Sequence, residues 1–172
     1  SGTDRLAEVV DQLTWPDDTV IVNLQGDEPL MPLENIRRVA AMLAETSSAD
    51  IATLMEPLDR AVADEPSIVK VVASEAGRAQ YFSRRAIPAQ AAGREAAPMF
   101  RHVGLYAYRA GFLRQFVTWP PASLELSESL EQLRALAHDV HIQIELAPQP
   151  VPAGVDTEAD LEAVRAHMAP VG

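Results

Sequence analysis

The chain has 172 residues and no cysteine, is 48% hydrophobic and 23% charged, and carries a net charge of −11. Disulfides and thiolate metal sites are excluded, and the acidic balance argues against a general nucleic-acid binder, which needs a basic surface to neutralise phosphates. No apolar run approaches the roughly 20 residues of a membrane span, and the start lacks the basic flank and apolar core of a signal peptide, so a cytoplasmic protein is expected, without membrane or nucleic-acid partners.

In chain order, Leu6, Val9, Val10 and Leu13 recur at helical spacing, which predicts a helix over 4–14. Trp15-Pro16-Asp17-Asp18 is a turn. Residues 19–24 are apolar on successive positions, the mark of a strand covered on both faces. Pro32 opens a second helix whose inner face is Leu33, Ile36, Val39, Ala40 and Leu43. Strands follow over 51–55, 68–73 and 79–82, the last two joined as a hairpin around Glu75-Ala76-Gly77. The alanine-rich stretch 86–98, with Pro88, Gly93 and Pro98, reads as a surface loop. Beyond it come a strand over 103–108 and a helix over 110–118 that Trp119-Pro120-Pro121 breaks. A leucine-rich helix spans 124–136, with Leu126, Leu130, Leu133 and Ala137 on one face, then a strand over 141–146 and a closing helix over 157–168. This alternation predicts one α/β domain over 1–172, with a mixed, mostly parallel sheet flanked by helices.

Chemistry concentrates at strand ends, where open α/β sheets bind ligands. Gln25-Gly26-Asp27-Glu28-Pro29 follows the first strand. Asp27 there is either a hard-oxygen ligand for magnesium or part of an ordinary acidic turn. Asp156, in "PVPAGVDT" after the last strand, has the same double reading, as a ligand or as a helix cap; Thr157 and Asp160 offer capping of their own. Two aspartates at two strand ends suit one magnesium ion, which takes few protein ligands and leaves room for phosphate oxygens. Arg84 ends "QYFSR"; His102 and Tyr106, four apart in an extended segment, point to one face. Glu131 and Gln132 sit at the inner edge of the leucine-rich helix.

The segments "SGTDRLAEVV", "VIVNLQGDEPLMP", "YFSRRAIP", "RHVGLYAYRAGF", "SLEQLRAL" and "GVDTEADLEAVRAHM" resemble, in order, those of the CMP-KDO synthetases, the 3-deoxy-manno-octulosonate (KDO) cytidylyltransferases. The resemblance implies a nucleotidyltransferase-type, Rossmann-like fold and an enzyme of lipopolysaccharide biosynthesis. In that reaction the anomeric hydroxyl of KDO attacks the α-phosphate of CTP and pyrophosphate leaves. It implies Asp27 and Asp156 as catalytic magnesium ligands. It further implies Gln25, Arg84, His102, Tyr106, Glu131 and Gln132 as sugar-acid contacts, and Ser1, Gly2 and Arg5 as the segment beside the cytosine. The residue types agree: arginine and histidine suit a carboxylate, while Glu and Gln suit sugar hydroxyls. A homodimer is also implied, and the apolar content of 100–136 is consistent with an interface there.

Two departures from the family pattern stand out. The family begins with a strand and a phosphate loop resembling "IPARxxSxRLPGKPL", and the chain starts, without methionine, on an amphipathic helix pattern instead. The triphosphate clamp and the N-terminal βα unit are therefore expected to lie outside this chain, the C-terminal larger part of a cytidylyltransferase. Lys70 is no substitute, because "SIVKVV" places it inside a strand. After Ile87-Pro88 the family carries an aromatic and an acid, whereas this chain has Ala89-Gln90. The alternatives are a cytidylyltransferase for a related sugar acid, such as amino-KDO or a sialic acid, and a truncated, non-catalytic oligomerising domain.

Overall fold

The computed structural model describes residues 2–155 and 157–168. The elements run α1 (Gly2–Gln12), β1 (Val20–Asn23), α2 (Leu33–Glu45), β2 (Ile51–Leu58), β3 (Lys70–Ala73), β4 (Ala79–Ser83), β5 (Met99–Arg109), α3 (Ala110–Phe116), α4 (Ser123–Glu128), α5 (Gln132–Ala137), β6 (Ile142–Leu146) and α6 (Glu158–Met168), with a 3-10 turn at Arg60–Val62. No helix among the described residues is long and apolar enough to cross a membrane.

The 11-residue β5 is the spine of one six-stranded sheet, ordered β4-β3-β5-β2-β6. One edge of β5 pairs with β2 along its length. The other edge is shared: its first part takes β3, with Lys70 opposite Arg101, and its last part takes β1, from Val20 opposite Arg109 to Asn23 opposite Tyr106. Between these two partners lies a bulge, where the partner of Thr53 is Tyr106 but that of Leu54 is Val103. The Thr53 hydroxyl bridges the carbonyls of Val103 and Leu105 at 3.1 and 2.9 Å, which holds the bulge in shape. A bulge bends its strand and re-aims side chains; this one faces the end of β1, where the polar loop 24–28 begins.

Strand alternation divides the apolar residues between two cores. Ile51, Tyr106, Tyr108, Ile142 and Ile144 pack under α1, α3 and α5. Ala52, Leu54, Val103, Leu105 and Ala107 pack under α2. The sheet is mixed and covered on both faces, as its apolar runs predict. Its pairing is not mostly parallel, however: β2 with β6 is parallel, and the other four named pairings are antiparallel. The reason is β5, which runs against β1, β2 and β3 from the middle of the sheet. Both arrangements bury strands on two faces, so an apolar run does not distinguish them. β1 pairs only with β5 among the described residues, and Val20 and Val22 are half-buried.

Two helices differ from their predicted form. In α2, Val39 and Leu43 are buried as expected, but Leu33 is 56% exposed and Asn35 is fully buried. The Asn35 amide donates to the Gln149 carbonyl at 2.8 Å and accepts from the Gln149 N–H at 2.9 Å, tying the segment after β6 to the helix. The single helix predicted over 124–136 is instead α4 and α5, separated at Ser129, whose φ is 54°. The Arg84 guanidinium donates to the Glu128 and Ser129 carbonyls at 2.9 and 3.3 Å. The Glu128 carboxylate in turn accepts from the Ser83 hydroxyl and the Arg84 N–H at 2.8 and 2.9 Å. These long-range bonds satisfy groups that a continuous helix would have used internally.

Lys70 is fully buried, and its Nζ donates to the carbonyls of Glu65, Ile68 and Arg84 at 3.0, 2.6 and 2.5 Å. Burial pushes its pKa down, with Asp64 acting in the opposite direction. Lys70→Met removes the donor shared by three carbonyls, and a loss of about 2 kcal/mol is expected, read as a shift of the urea midpoint.

Candidate active site

A cavity of about 300 Å³ opens between the first turn of α1, the end of β1, the second half of β5, and helices α3 and α5. Its floor is apolar, built from Ile51, Phe112 and Phe116. One wall is the stacked pair Tyr106 and Tyr108, with ring centroids 5.5 Å apart. Burial, and then the charge of Glu131, push both phenols well above their ordinary pKa, with Tyr108 adding to the shift at Tyr106. Both therefore stay protonated and can donate hydrogen bonds. The polar rim comes from Gly2, Thr3, Asn23, Gln25, Glu131 and Gln132.

Five sequence-predicted site residues thus meet at this cavity: Gly2, Gln25, Tyr106, Glu131 and Gln132. Ser1 and Asp156 lie outside the described residues. Arg5 is exposed on α1 and does not line the cavity. Arg84 does not line it either; beyond its two bonds to the 128–129 turn, it donates to the Pro66 carbonyl at 2.9 Å. His102 stands one ring behind the wall, 5.2 Å from Tyr106 and 5.0 Å from Phe82. The Thr53 hydroxyl has one proton for its carbonyl partners, so its 2.9 Å contact to His102 Nε2 is accepted from a ring N–H. Burial lowers the His102 pKa to about 3, so the ring is neutral at neutral pH. A neutral imidazole has one N–H, and Thr53 takes it, so His102 keeps only the Nδ1 lone pair, an acceptor, and in this state offers a carboxylate neither a donor nor a cation.

Thr3, Asn23 and Tyr108 are cavity residues that sequence reasoning passed over. Tyr108 had a signal, since a residue two positions from Tyr106 on a strand shares its face. Asn23 ends the strand that delivers Gln25. Nothing local marks Thr3.

Asp27 is exposed in the turn after β1, and its carbonyl accepts from the Val155 N–H at 2.8 Å. A Cβ on Gly154 would come within 3.1 Å of that carbonyl, so glycine suits the close approach. A series of polar anchors brings this segment in. Asn35 holds Gln149, as described above. The Val151 N–H donates to Glu56 at 2.8 Å, and the Val151 carbonyl accepts from Arg101 at 3.0 Å. Arg101 and Glu56 form an ion pair between them. Residue 155, which immediately precedes Asp156 in sequence, is thereby fixed against the backbone of Asp27. Beside it, Glu28 has its pKa raised by burial first and by the Asp27 charge second. Negative potential of this kind, at exposed hard oxygens, suits a divalent cation. No group of three or more potential metal-ligating side chains converges among the described residues.

A family model described as cytidylyltransferase matches residues 1–142. The 3-deoxy-manno-octulosonate cytidylyltransferase of Hahella chejuensis is 52% identical over 98% of the chain and 70% of its own length. That of Pseudomonas fluorescens Pf-5 is also 52% identical, over 96% of the chain and 68% of its own length. A solved CMP:2-keto-3-deoxy-manno-octonic acid synthetase complexed with CTP superposes with a TM-score of 0.88 at 40% identity, covering 98% of this chain and 68% of that one. The 4-diphosphocytidyl-2C-methyl-D-erythritol synthase, at 12% identity and a TM-score of 0.56, shares the fold alone. The matched span takes in nearly the whole chain, and the chain belongs to the 3-deoxy-manno-octulosonate cytidylyltransferase family.

Proposed function

We propose that the protein activates the sugar acid KDO with CTP, forming CMP-KDO and pyrophosphate. The observation that carries this reading is its likeness, over 98% of the chain, to a synthetase solved with CTP. In the reaction, the anomeric hydroxyl of KDO attacks the α-phosphorus of CTP. A new P–O bond forms to the sugar, the bond to the β-phosphate oxygen breaks, and pyrophosphate carries away the electron pair. The barrier is lowered mainly by positioning and by stabilising charge on the phosphoryl oxygens.

Gln25, Tyr106, Glu131 and Gln132 would bind and orient the sugar acid, matching amide, phenol and carboxylate to hydroxyls. His102 would support Tyr106 from behind. Arg84 has two N–H groups beyond the three given to carbonyls, and these are what it can offer the sugar carboxylate. Ser1, Gly2 and Arg5 would flank the cytosine. Asp27 and Asp156 would hold magnesium, which supplies charge neutralisation at the phosphates.

A role in lipopolysaccharide synthesis and a cytoplasmic location follow from this reading. So does a homodimer, although Phe112, Phe116, Leu130 and Leu133 serve the chain's own core. Leu124 and Leu126, 47% and 67% exposed, are the apolar residues of 100–136 best placed for a partner.

Incubation of the complete protein with CTP and magnesium, and with KDO, amino-KDO or a sialic acid in turn, tests the substrate. Pyrophosphate release should show the highest kcat/KM with KDO. A preference for another sugar acid refutes the KDO assignment, and no release with any of them refutes the enzyme reading.

A further inference from the structure

Glu131 is gripped from two sides. Its Oε2 accepts from the Thr3 hydroxyl at 2.5 Å, across 128 residues of sequence. Its Oε1 is buried, has no hydrogen-bond partner among the described residues, and lies 3.8 Å from Nη2 of Arg134. Arg134 cannot follow the carboxylate, because it is itself fixed. It donates to both Glu125 oxygens at 2.5 and 2.8 Å and lies over the Phe116 ring at 4.6 Å. With Oε1 turned inward to this cation, the carboxylate oxygen left for the cavity is Oε2, the one that Thr3 holds.

Thr3 is 6% exposed and sits in the first turn of α1, where a hydroxyl commonly serves its own helix. Here it reaches instead to the residue that opens α5. The backbone of Glu131 is helical, but two residues earlier Ser129 is left-handed, so no continuous helix fixes the Glu131 side chain from the N-terminal side. The Thr3 bond supplies that restraint.

We propose that Thr3 is a positioning residue for sugar-acid recognition. It orients Glu131 Oε2 so that a remaining lone pair accepts a hydrogen bond from a hydroxyl of the sugar acid, while the Arg134 cation anchors the opposite oxygen. This rests on the reading of Glu131 as a sugar contact, and the test separates the two claims.

Steady-state kinetics of the complete protein with CTP, KDO and magnesium would compare Thr3→Val, Thr3→Ser, Glu131→Gln and the Thr3→Val/Glu131→Gln pair. Thr3→Val should raise KM for the sugar acid about tenfold, the scale of one hydrogen bond to a charged group. KM for CTP should move less than about twofold, a difference too small to reflect a lost contact of that kind. Thr3→Ser, which keeps the hydroxyl, should restore the sugar KM. The double variant should be no worse than Glu131→Gln alone, because the two changes remove one interaction. Should Thr3→Val not fold, Thr3→Ala, smaller and well suited to a helix, gives the same comparison.

If Glu131→Gln raises the sugar KM and loss of the Thr3 hydroxyl does not, the positioning role is wrong and the sugar contact stands. If Glu131→Gln also leaves the sugar KM unchanged, the sugar contact itself is wrong. An equal rise in both KM values, additive losses in the pair, or no rescue by Thr3→Ser would each overturn the positioning role.

Discussion

Asp27→Asn is expected to lower kcat by about two to three orders of magnitude, the usual consequence of removing one electrostatic contact to a developing charge. The stability of the fold should hardly change. Asp27 is exposed, and its one described structural bond uses its backbone carbonyl, which asparagine retains. Asparagine has nearly the same size and keeps an oxygen ligand, so the variant isolates the charge. If Asp27 holds magnesium, the loss should fall as magnesium is raised, because a weaker ligand lowers affinity before it alters geometry. Pyrophosphate release across a magnesium titration, with a thermal melt as control, measures both. A kcat within about threefold of wild type would exclude a direct catalytic role, since removal of such a contact costs far more. Unchanged kinetics together with a lowered melting temperature would return Asp27 to the bland reading of an acidic turn.

The sequence alone left Asp27 between those readings because a turn and a metal ligand use the same residue types. What bears on the choice is distant: Val155 against the Asp27 carbonyl, and the Asn35, Glu56 and Arg101 anchors that bring it there. The strands were legible, since apolar runs mark burial wherever they occur. Their directions were not, because the central place of β5 depends on pairing between remote segments. The break at Ser129 was hidden for the same reason. Leucine periodicity continues through it, and the groups that stabilise the break belong to Arg84, 45 residues earlier. At the cavity, Tyr106, Glu131 and Gln132 were found through their motifs. Thr3 was missed because its partner is distant in sequence, and the neutral state of His102 was missed because charge state follows burial, which residue identity does not report.

The largest loss of stability is expected from Arg134→Ala, at about 3–5 kcal/mol, the cost of leaving one member of a buried ion pair uncompensated. Arg134 and Glu125 are 8% and 9% exposed, so water can do little for the orphaned carboxylate. The change also removes a cation from the Phe116 ring and a donor from the Trp119 carbonyl. The pH dependence should change sign. In the wild type the hydrogen bonds from Arg134 hold the Glu125 pKa below its ordinary value of 4.5, against the opposing effect of burial and with help from the Ala122 N–H. A depressed folded-state pKa stabilises the fold above that ordinary value, and the contribution is lost as pH falls through the folded value. Without Arg134, burial dominates and raises the Glu125 pKa, so the variant loses stability as pH rises and recovers some of it in mild acid. The gap between the two proteins should therefore narrow as pH falls from neutral. Replacing the pair together, as Arg134→Met with Glu125→Leu, should cost less than Arg134→Ala alone, because no buried charge is then left unpaired. Urea midpoints at neutral and mildly acidic pH give all three comparisons. A single variant within about 1 kcal/mol of wild type, the range of a surface pair, would show that this ion pair is solvated in solution.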